Sequence, residues 1–357
     1  MKKRHVNIPI FIPHEGCPNN CVFCNQHTIT QTSDGGSGRD VAPEIDECLA
    51  TIDTDNCECE IAFFGGSFTG IPREDMIRLL ETAYRYIKDG RVKSVRLSTR
   101  PDYIDSEILD ILEKYGVRDI ELGIQSMDDR VLNASGRGHT AAVTEKSCRM
   151  IVERGFRLTG QMMVGLPGAS SESEVETAKK ICAMGAVAAR IYPTVVFYGT
   201  ELCNMAKRSE YVPLTNDEAA ERAAKVYKVF VENKVKLLRI GLQASEGLDE
   251  KNVYGGASHS AIGEMAVSRF YLGLVYDECT KLLAEEQLCD KRIVLTVFCA
   301  EGEVSKVSGQ KRVNKQRITE FFAKKGTEVA EVKIKESADL PKNTVAVRAS
   351  IIKKRGE

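Results

Sequence analysis

Three cysteines, Cys17, Cys21 and Cys24, stand on one short stretch with the spacing Cys-x3-Cys-x2-Cys. Thiolates are soft ligands suited to zinc and to iron–sulfur clusters. A structural zinc site takes four ligands, and His14 or His27 would supply the fourth. An ordinary cubane cluster takes four cysteines. Three cysteines would hold three of its irons and leave the fourth open to a chelating ligand. Residue types and spacing alone leave both metals standing. The other cysteines, Cys48, Cys57, Cys59, Cys148, Cys182, Cys203, Cys279, Cys289 and Cys299, are scattered and mostly in apolar segments. They read as buried or incidental thiols of a reducing compartment. Cys57-Glu58-Cys59 has no partner pair and makes a poor metal site.

The elements that must position the three thiols are strands and helices in alternation. Val6 to Pro13 is an apolar run that reads as a buried strand leading into the cysteines. Further strands are expected at Glu60–Phe64, Val92–Thr99, Asp119–Ile124, Phe156–Val164, Val187–Tyr192 and Leu237–Leu242. Helices are expected at Ala42–Thr51, from Pro72, and at Ser106–Tyr115, Ala141–Glu153, Glu172–Met184 and Asp217–Asn233. Short joints between such units demand parallel strands with covering helices. Strands buried on both faces should be apolar nearly throughout. Each strand ends in unusual residues: Gly65-Gly66, Arg100-Pro101, Gln125-Ser126, Gly165-Leu166-Pro167 and Tyr192-Pro193. Ligands of parallel sheets and barrels bind at that end, so the cysteine loop opens onto the same rim. Gln31 to Asp40, rich in Gly, Ser and Thr, reads as a flexible loop.

After about residue 244 the alternation stops. A helix over Ile262–Cys289, strands at Arg292–Cys299, Glu328–Lys335 and Val345–Lys353, and a basic helix over Asn314–Lys325 read as a small α+β unit. The expected division is 1–245 for the barrel and 246–357 for a C-terminal extension that is basic from about 303. Residues 303–357 carry 14 Lys and Arg against 7 Asp and Glu, whereas the remainder is acidic, so the tail segment suits an anionic partner. Val304 to Arg312 resembles the Gly-containing phosphate-gripping loop of KH modules, with Arg312 where that loop has its second glycine. Lys311, Arg312, Lys315 and Arg317 are the nucleic-acid candidates. No run approaches the ~18 apolar residues of a membrane helix, and the short Val6–Pro13 segment lacks a cleavage site. A cytoplasmic protein without a membrane partner is expected.

The spacing, the strand before it and Phe23 ahead of the third cysteine resemble the radical S-adenosylmethionine (SAM) superfamily. TRPDY (99–103), ELGIQS (121–126), GRGHT (136–140), MMVGLP (162–167) and IYPT (191–194) together resemble the radical domain of the Elongator catalytic subunit and its short bacterial relatives. The resemblance covers residues 5–245 and implies an α/β fold: an incomplete (β/α) parallel barrel of the radical SAM type, with the small α+β unit behind it. It implies an enzyme with a [4Fe-4S] cluster on Cys17, Cys21 and Cys24, and SAM on the open iron. The product of its reductive cleavage is a 5′-deoxyadenosyl radical. A one-electron reductant is implied as partner. By position, Gly65 and Gly66 would hold the methionine amino group, and Glu121 and Gln125 its ribose or methionine part. Arg137 would pair with the carboxylate or a substrate anion, and Tyr192 would shape the adenine pocket with Gly165–Pro167 and Pro193. Tyr198 and Tyr192 are candidates to gate the radical, aromatic packing being their simpler role. Glu121 also fits a buried ion pair with Arg100, and His139 a loop or capping role. The Elongator subunit carries an acetyltransferase half with no counterpart expected here, so acetyl transfer is not implied. The substrate is tRNA, another RNA or a small molecule. Rival readings are a porphyrin-pathway-type radical oxidase and a non-enzymatic zinc and RNA-binding module.

Overall fold

The computed structural model describes residues 4–12, 17, 21–24, 36–242, 248 and 251–352. Half of the Gln31–Asp40 loop, together with His14 and His27, lies outside the described residues. Seven parallel strands form one sheet: β1 (Arg4–Ile12), β2 (Cys57–Gly65), β3 (Ser94–Thr99), β4 (Val117–Gln125), β5 (Arg157–Val164), β6 (Ala188–Pro193) and β8 (Lys236–Ile240), in that spatial order. The helices between them are α1 (Ala42–Ala50), α2 (Arg73–Lys88), α3 (Ser106–Lys114), α4 (Asp129–Ala134), α5 (Ala141–Glu153), α6 (Ser171–Ala183), α7 (Glu201–Lys207) and α8 (Asn216–Glu232). Thr140, Ser170 and Thr215 start three of them, each side-chain oxygen accepting from a backbone N–H of the first turn.

The strands are not apolar throughout. Ile8, Ile10, Ile61, Phe63, Val95, Leu97, Ile120, Leu122 and Leu158 form the core under the helices. The alternate positions carry Glu60, Arg96, Glu121 and Arg190, all on the other face. Arg190 of β6 bonds Glu121 of β4 at 2.9 Å, across the intervening β5. A concave face brings the inward side chains of next-nearest strands together. The sheet is therefore a curled half-barrel whose inner face is polar, because it lines a site and packs against no second helix layer.

A short antiparallel ribbon, β7 (Val195–Phe197) with β9 (Val253–Gly256), closes one side of the rim. Beyond it, α9 (Ile262–Glu285) lies along α8, and the two helices carry residues of both hydrophobic cores. The second core sits between α9, α11 (Val313–Ala323) and a three-stranded sheet ordered β11 (Glu328–Glu336), β10 (Arg292–Cys299), β12 (Val345–Ile352). β10 runs parallel to β11 and antiparallel to β12. A short helix α10 (Val304–Ser308) precedes α11.

Candidate active site

The carboxyl ends of the seven strands, from Ile12 round to Ile240, define one rim. Cys17, Cys21 and Cys24 follow β1 onto it. The apolar pair between the second and third cysteines anchors the loop. Val22 and Phe23 pack against Val196, Leu202, Cys203 and Tyr211. The Val22 N–H donates to the Ser135 carbonyl at 3.1 Å, and the Leu202 N–H donates to the Val22 carbonyl at 2.8 Å. Helices α4 and α7 thus hold the loop. Both are short and were not expected from periodicity, which needs longer windows to show.

Two buried arginines stand behind the cysteines. Arg137 donates to the Cys21 sulfur at 3.4 Å and to the Gly123 carbonyl at 2.6 Å. Arg100 grips both carboxylate oxygens of Asp102, each at 2.9 Å, and donates to the Arg137 carbonyl. Its partner is therefore Asp102, not Glu121. Among the described residues, Arg100 Nη1 is buried with no hydrogen-bond partner. Burial pushes the Cys17 thiol up, and the charges of Arg100 and Arg137 and the Ser67 N–H oppose that shift. Hydroxyls lock this corner: Thr99 bonds Ser67 at 2.8 Å and Thr69 at 2.6 Å.

Gly65 ends β2 at φ +118, and a side chain there would stand 1.9 Å from the Ile12 carbonyl oxygen. No other residue fits where β2 ends beside the parallel strand that feeds the cysteine loop. The Gly66 N–H donates to the same carbonyl at 3.3 Å. Gln125 ends β4 at φ +65 and is only 4% exposed. The Ser126 N–H bonds back to the Ile124 carbonyl at 2.8 Å across it, the pattern of a γ-turn. The β4–β5 ladder slips register between Gly123 and Gln125. Among the described residues, Gln125 Oε1 is buried without a hydrogen-bond partner. A strained, buried, under-bonded amide at a sheet rim is the kind of residue that functional sites retain.

A cavity of about 250 Å³ opens beside these residues, lined by Phe11, Cys24, Gly65, Gln161, Met163 and Tyr192 among others. Cys24, Gly65, Tyr192 and Pro193 are thus brought to one space; Phe11, Gln161 and Met163 were not anticipated. They are the topmost inward residues of β1 and β5, and only the strand order reveals that. Glu121 does not line the cavity. It sits one inward position below Gly123, 2.9 Å from Arg190 and 3.8 Å from Arg96, with Glu60 3.6 Å from Arg96. Burial raises the Tyr192 phenol, against the neighbouring Arg190 charge. His139 is buried, and desolvation aided by Arg137 lowers it to about 4, so it is neutral near pH 7. Tyr198 is 44% exposed and meets Tyr254 edge-on, with ring centroids 5.7 Å apart. Gly165, at φ +85, is fixed by Glu174, which accepts from its N–H at 2.7 Å, and by Tyr211, which donates to its carbonyl at 2.6 Å.

The family model for the radical SAM superfamily matches residues 11–181, and that for the radical SAM C-terminal domain matches 187–271. The chain belongs to the radical SAM superfamily. An uncharacterized protein of Methanocaldococcus jannaschii is 33% identical over 162 residues, 44% of this chain and 49% of that protein. The tRNA uridine(34) acetyltransferase of the same organism is 32% identical over 151 residues, 42% of this chain and 27% of that protein. The chain thus spans about half or less of the length of these curated relatives. Among solved structures, the Elp3 of Methanocaldococcus infernus with its N-terminus deleted aligns with 79% of this chain and 64% of that one, at 22% identity and a TM-score of 0.57. That likeness shows the half-barrel fold.

Members of the superfamily use a [4Fe-4S] cluster and SAM. The donor set fits them. Three cysteines share the rim, and two of them sit beside buried cations able to stabilise thiolates, the form that binds metal. Among the described residues, no three His, Cys, Asp or Glu side chains meet at a point able to hold a single metal ion. A cubane cluster, with one iron per thiolate, asks for separated sulfurs. Also among the described residues, no helix is long and apolar enough to cross a membrane.

Proposed function

We propose that Cys17, Cys21 and Cys24 hold a [4Fe-4S] cluster and that SAM occupies the adjoining cavity. The observation that carries this reading is Cys24 lining one cavity with Gly65 and Tyr192 while Cys21 contacts Arg137. When bound, the cluster and SAM supply one-electron reductive cleavage of a carbon–sulfur bond and a 5′-deoxyadenosyl radical that abstracts hydrogen. An external one-electron reductant serves the cluster.

The chain's own residues bind and orient. Arg100 and Arg137 hold positive charge behind the thiolates. Gly65 and Gly66 bring backbone close to the cavity, where no side chain intrudes. Gln125 offers its free amide oxygen as an acceptor for an ammonium or hydroxyl group of the cofactor. Arg137, a fork suited to carboxylates, stands next to Gln125 across Gly123, where a Cβ would be 3.1 Å from the amide and 3.3 Å from the guanidinium. Tyr192 and Met163 give the cavity an apolar floor that excludes water. Glu121 fixes Arg190 and Tyr192 from below, which makes it a positioning residue for that floor.

The substrate class we propose is RNA, with tRNA first. The support is the similarity over residues matched by the tRNA uridine(34) acetyltransferase; the acetyl-transfer step is not carried over. The test is anaerobic reconstitution of the purified protein with iron and sulfide. Cys17→Ala, Cys21→Ala and Cys24→Ala are each expected to abolish cluster uptake, and Cys57→Ala and Cys59→Ala to leave it unchanged. Reduced wild-type protein should convert SAM to 5′-deoxyadenosine. Zinc retention with no iron uptake would overturn the reading.

A further inference from the structure

Gly309 to Arg312 links α10 to α11, between the parallel strands β10 and β11. Gly309, Lys311 and Arg312 all have positive φ, at 70°, 50° and 61°. Glycine is the ordinary choice for such a backbone, yet the chain spends two of these positions on exposed cations. Lys315 and Arg317 continue the charge along α11, which has no acidic residue in its first turn. Among the described residues, none of these four cations is in an ion pair. The 303–357 segment around them has twice as many basic as acidic residues, 14 against 7.

The loop stands near the rim of the half-barrel. Gly241, just past β8, lies under Ile262, where a Cβ would be 2.5 Å from the Ile262 side chain. Gly263 lies against the Ile240 carbonyl, at 2.9 Å for a Cβ. The start of α9 therefore sits on the carboxyl end of β8, next to Leu242 of the cavity wall. Within the first turn of α9, Glu264 accepts from Gln310 at 3.2 Å. Buried Asn314 then donates to Ser268 and to the Val307 carbonyl, all within 3.1 Å, which fixes the loop against α9.

We propose that this loop and the first turns of α11 clamp the phosphate backbone of single-stranded RNA, next to the end of the barrel where the cavity opens. The inference rests on RNA being the substrate class but adds the surface that holds it. A strand gripped at Lys311 and Arg312 runs over the start of α9 toward Leu242, so a nucleotide a few positions away reaches the cavity mouth. The ligand chemistry is a run of phosphodiesters, and the cations act as point and fork donors to them.

Binding needs neither cluster nor turnover, so the test separates this surface from the radical chemistry. A fluorescein-labelled, mixed-sequence 12-nucleotide RNA is titrated with the full-length protein as purified, and anisotropy is followed across salt concentrations. Lys311→Glu with Arg312→Glu is expected to weaken binding about tenfold or more at ~0.1 M salt. The slope of log K against log salt should fall by about 1.4, at ~0.7 per phosphate contact on a single strand. Arg312→Gly removes a charge while relieving the backbone, so it should weaken RNA while the melting temperature holds or rises. A control pair on the second sheet, Lys333→Glu with Lys335→Glu, should leave affinity within about twofold. Unchanged affinity in both loop variants, or equal loss in the sheet control, would overturn the clamp. If the clamp variants lose RNA while 5′-deoxyadenosine still forms, both readings stand. If RNA binds through the loop but no cluster assembles, only the radical reading falls.

Discussion

Gly65 shows how one residue type can tie two parts of the site together. Its left-handed φ and the Ile12 carbonyl beside it leave no room for a side chain. Gly65→Ala should cost about 2–5 kcal/mol, strain and steric overlap together, read as a fall in urea midpoint. The displaced carbonyl belongs to the strand that feeds the cysteines, so metal uptake should suffer too. His139 gives a pH signature at the same scale. Its folded pKa lies near 4, below the ordinary 6.5. The folded state therefore binds fewer protons, and this contribution is complete above about pH 6.5 and lost as pH falls toward 4. Linkage gives roughly 2 kcal/mol lost between pH 7 and pH 5. His139→Gln should shrink that loss in urea titrations at the two pH values; an identical loss would refute the assignment. The cysteine triplet and the glycine pair were legible in the sequence because their meaning is local. Gln125 was legible by position, but its strain and its unbonded oxygen were not, because they depend on Gly123 and on the slipped β4–β5 ladder.

At the scale of elements, the long segments came through closely. α5 and β10 match their expected ranges, and most other ends shift by one to three residues, the usual uncertainty of helix and strand ends. What failed was the short and the polar. α4, α7, β7 and β9 are each seven residues or fewer, too brief for a periodic signal, yet they hold the cysteine loop and one cavity wall. The expectation of doubly apolar strands failed because Glu60, Arg96, Glu121 and Arg190 form ion pairs with one another across the concave face. The α6–α8 contact shows the same economy. Arg222 of α8 gives two bonds, at 2.8 and 2.6 Å, to Glu174 of α6, which in turn accepts from the Gly165 N–H. Burial raises the Glu174 carboxyl, and Arg222 opposes that. Arg222→Ala would strand a buried carboxylate and should cost about 3–5 kcal/mol, measured by chemical denaturation. A loss under about 1 kcal/mol would show that the Gly165 turn holds without this pair.

Over the whole molecule, the half-barrel and the second sheet are joined through α8 and α9, whose residues enter both cores. The start of α9 rests on the rim, so the basic loop and the cysteine loop stand near the same end of the protein. The parallel strands and the rim location followed from the alternation of strands and helices. The coupling of the two units did not, because the α8–α9 contact joins segments that nothing in the chain's periodicity relates. The proposed function turns on three rim cysteines holding a cluster with one iron open to SAM. Electron paramagnetic resonance of the reconstituted, dithionite-reduced protein probes that iron. A reduced [4Fe-4S] signal whose g-values shift when SAM is added is expected. Absence of such a cluster signal after reconstitution, or a spectrum indifferent to SAM, would contradict it.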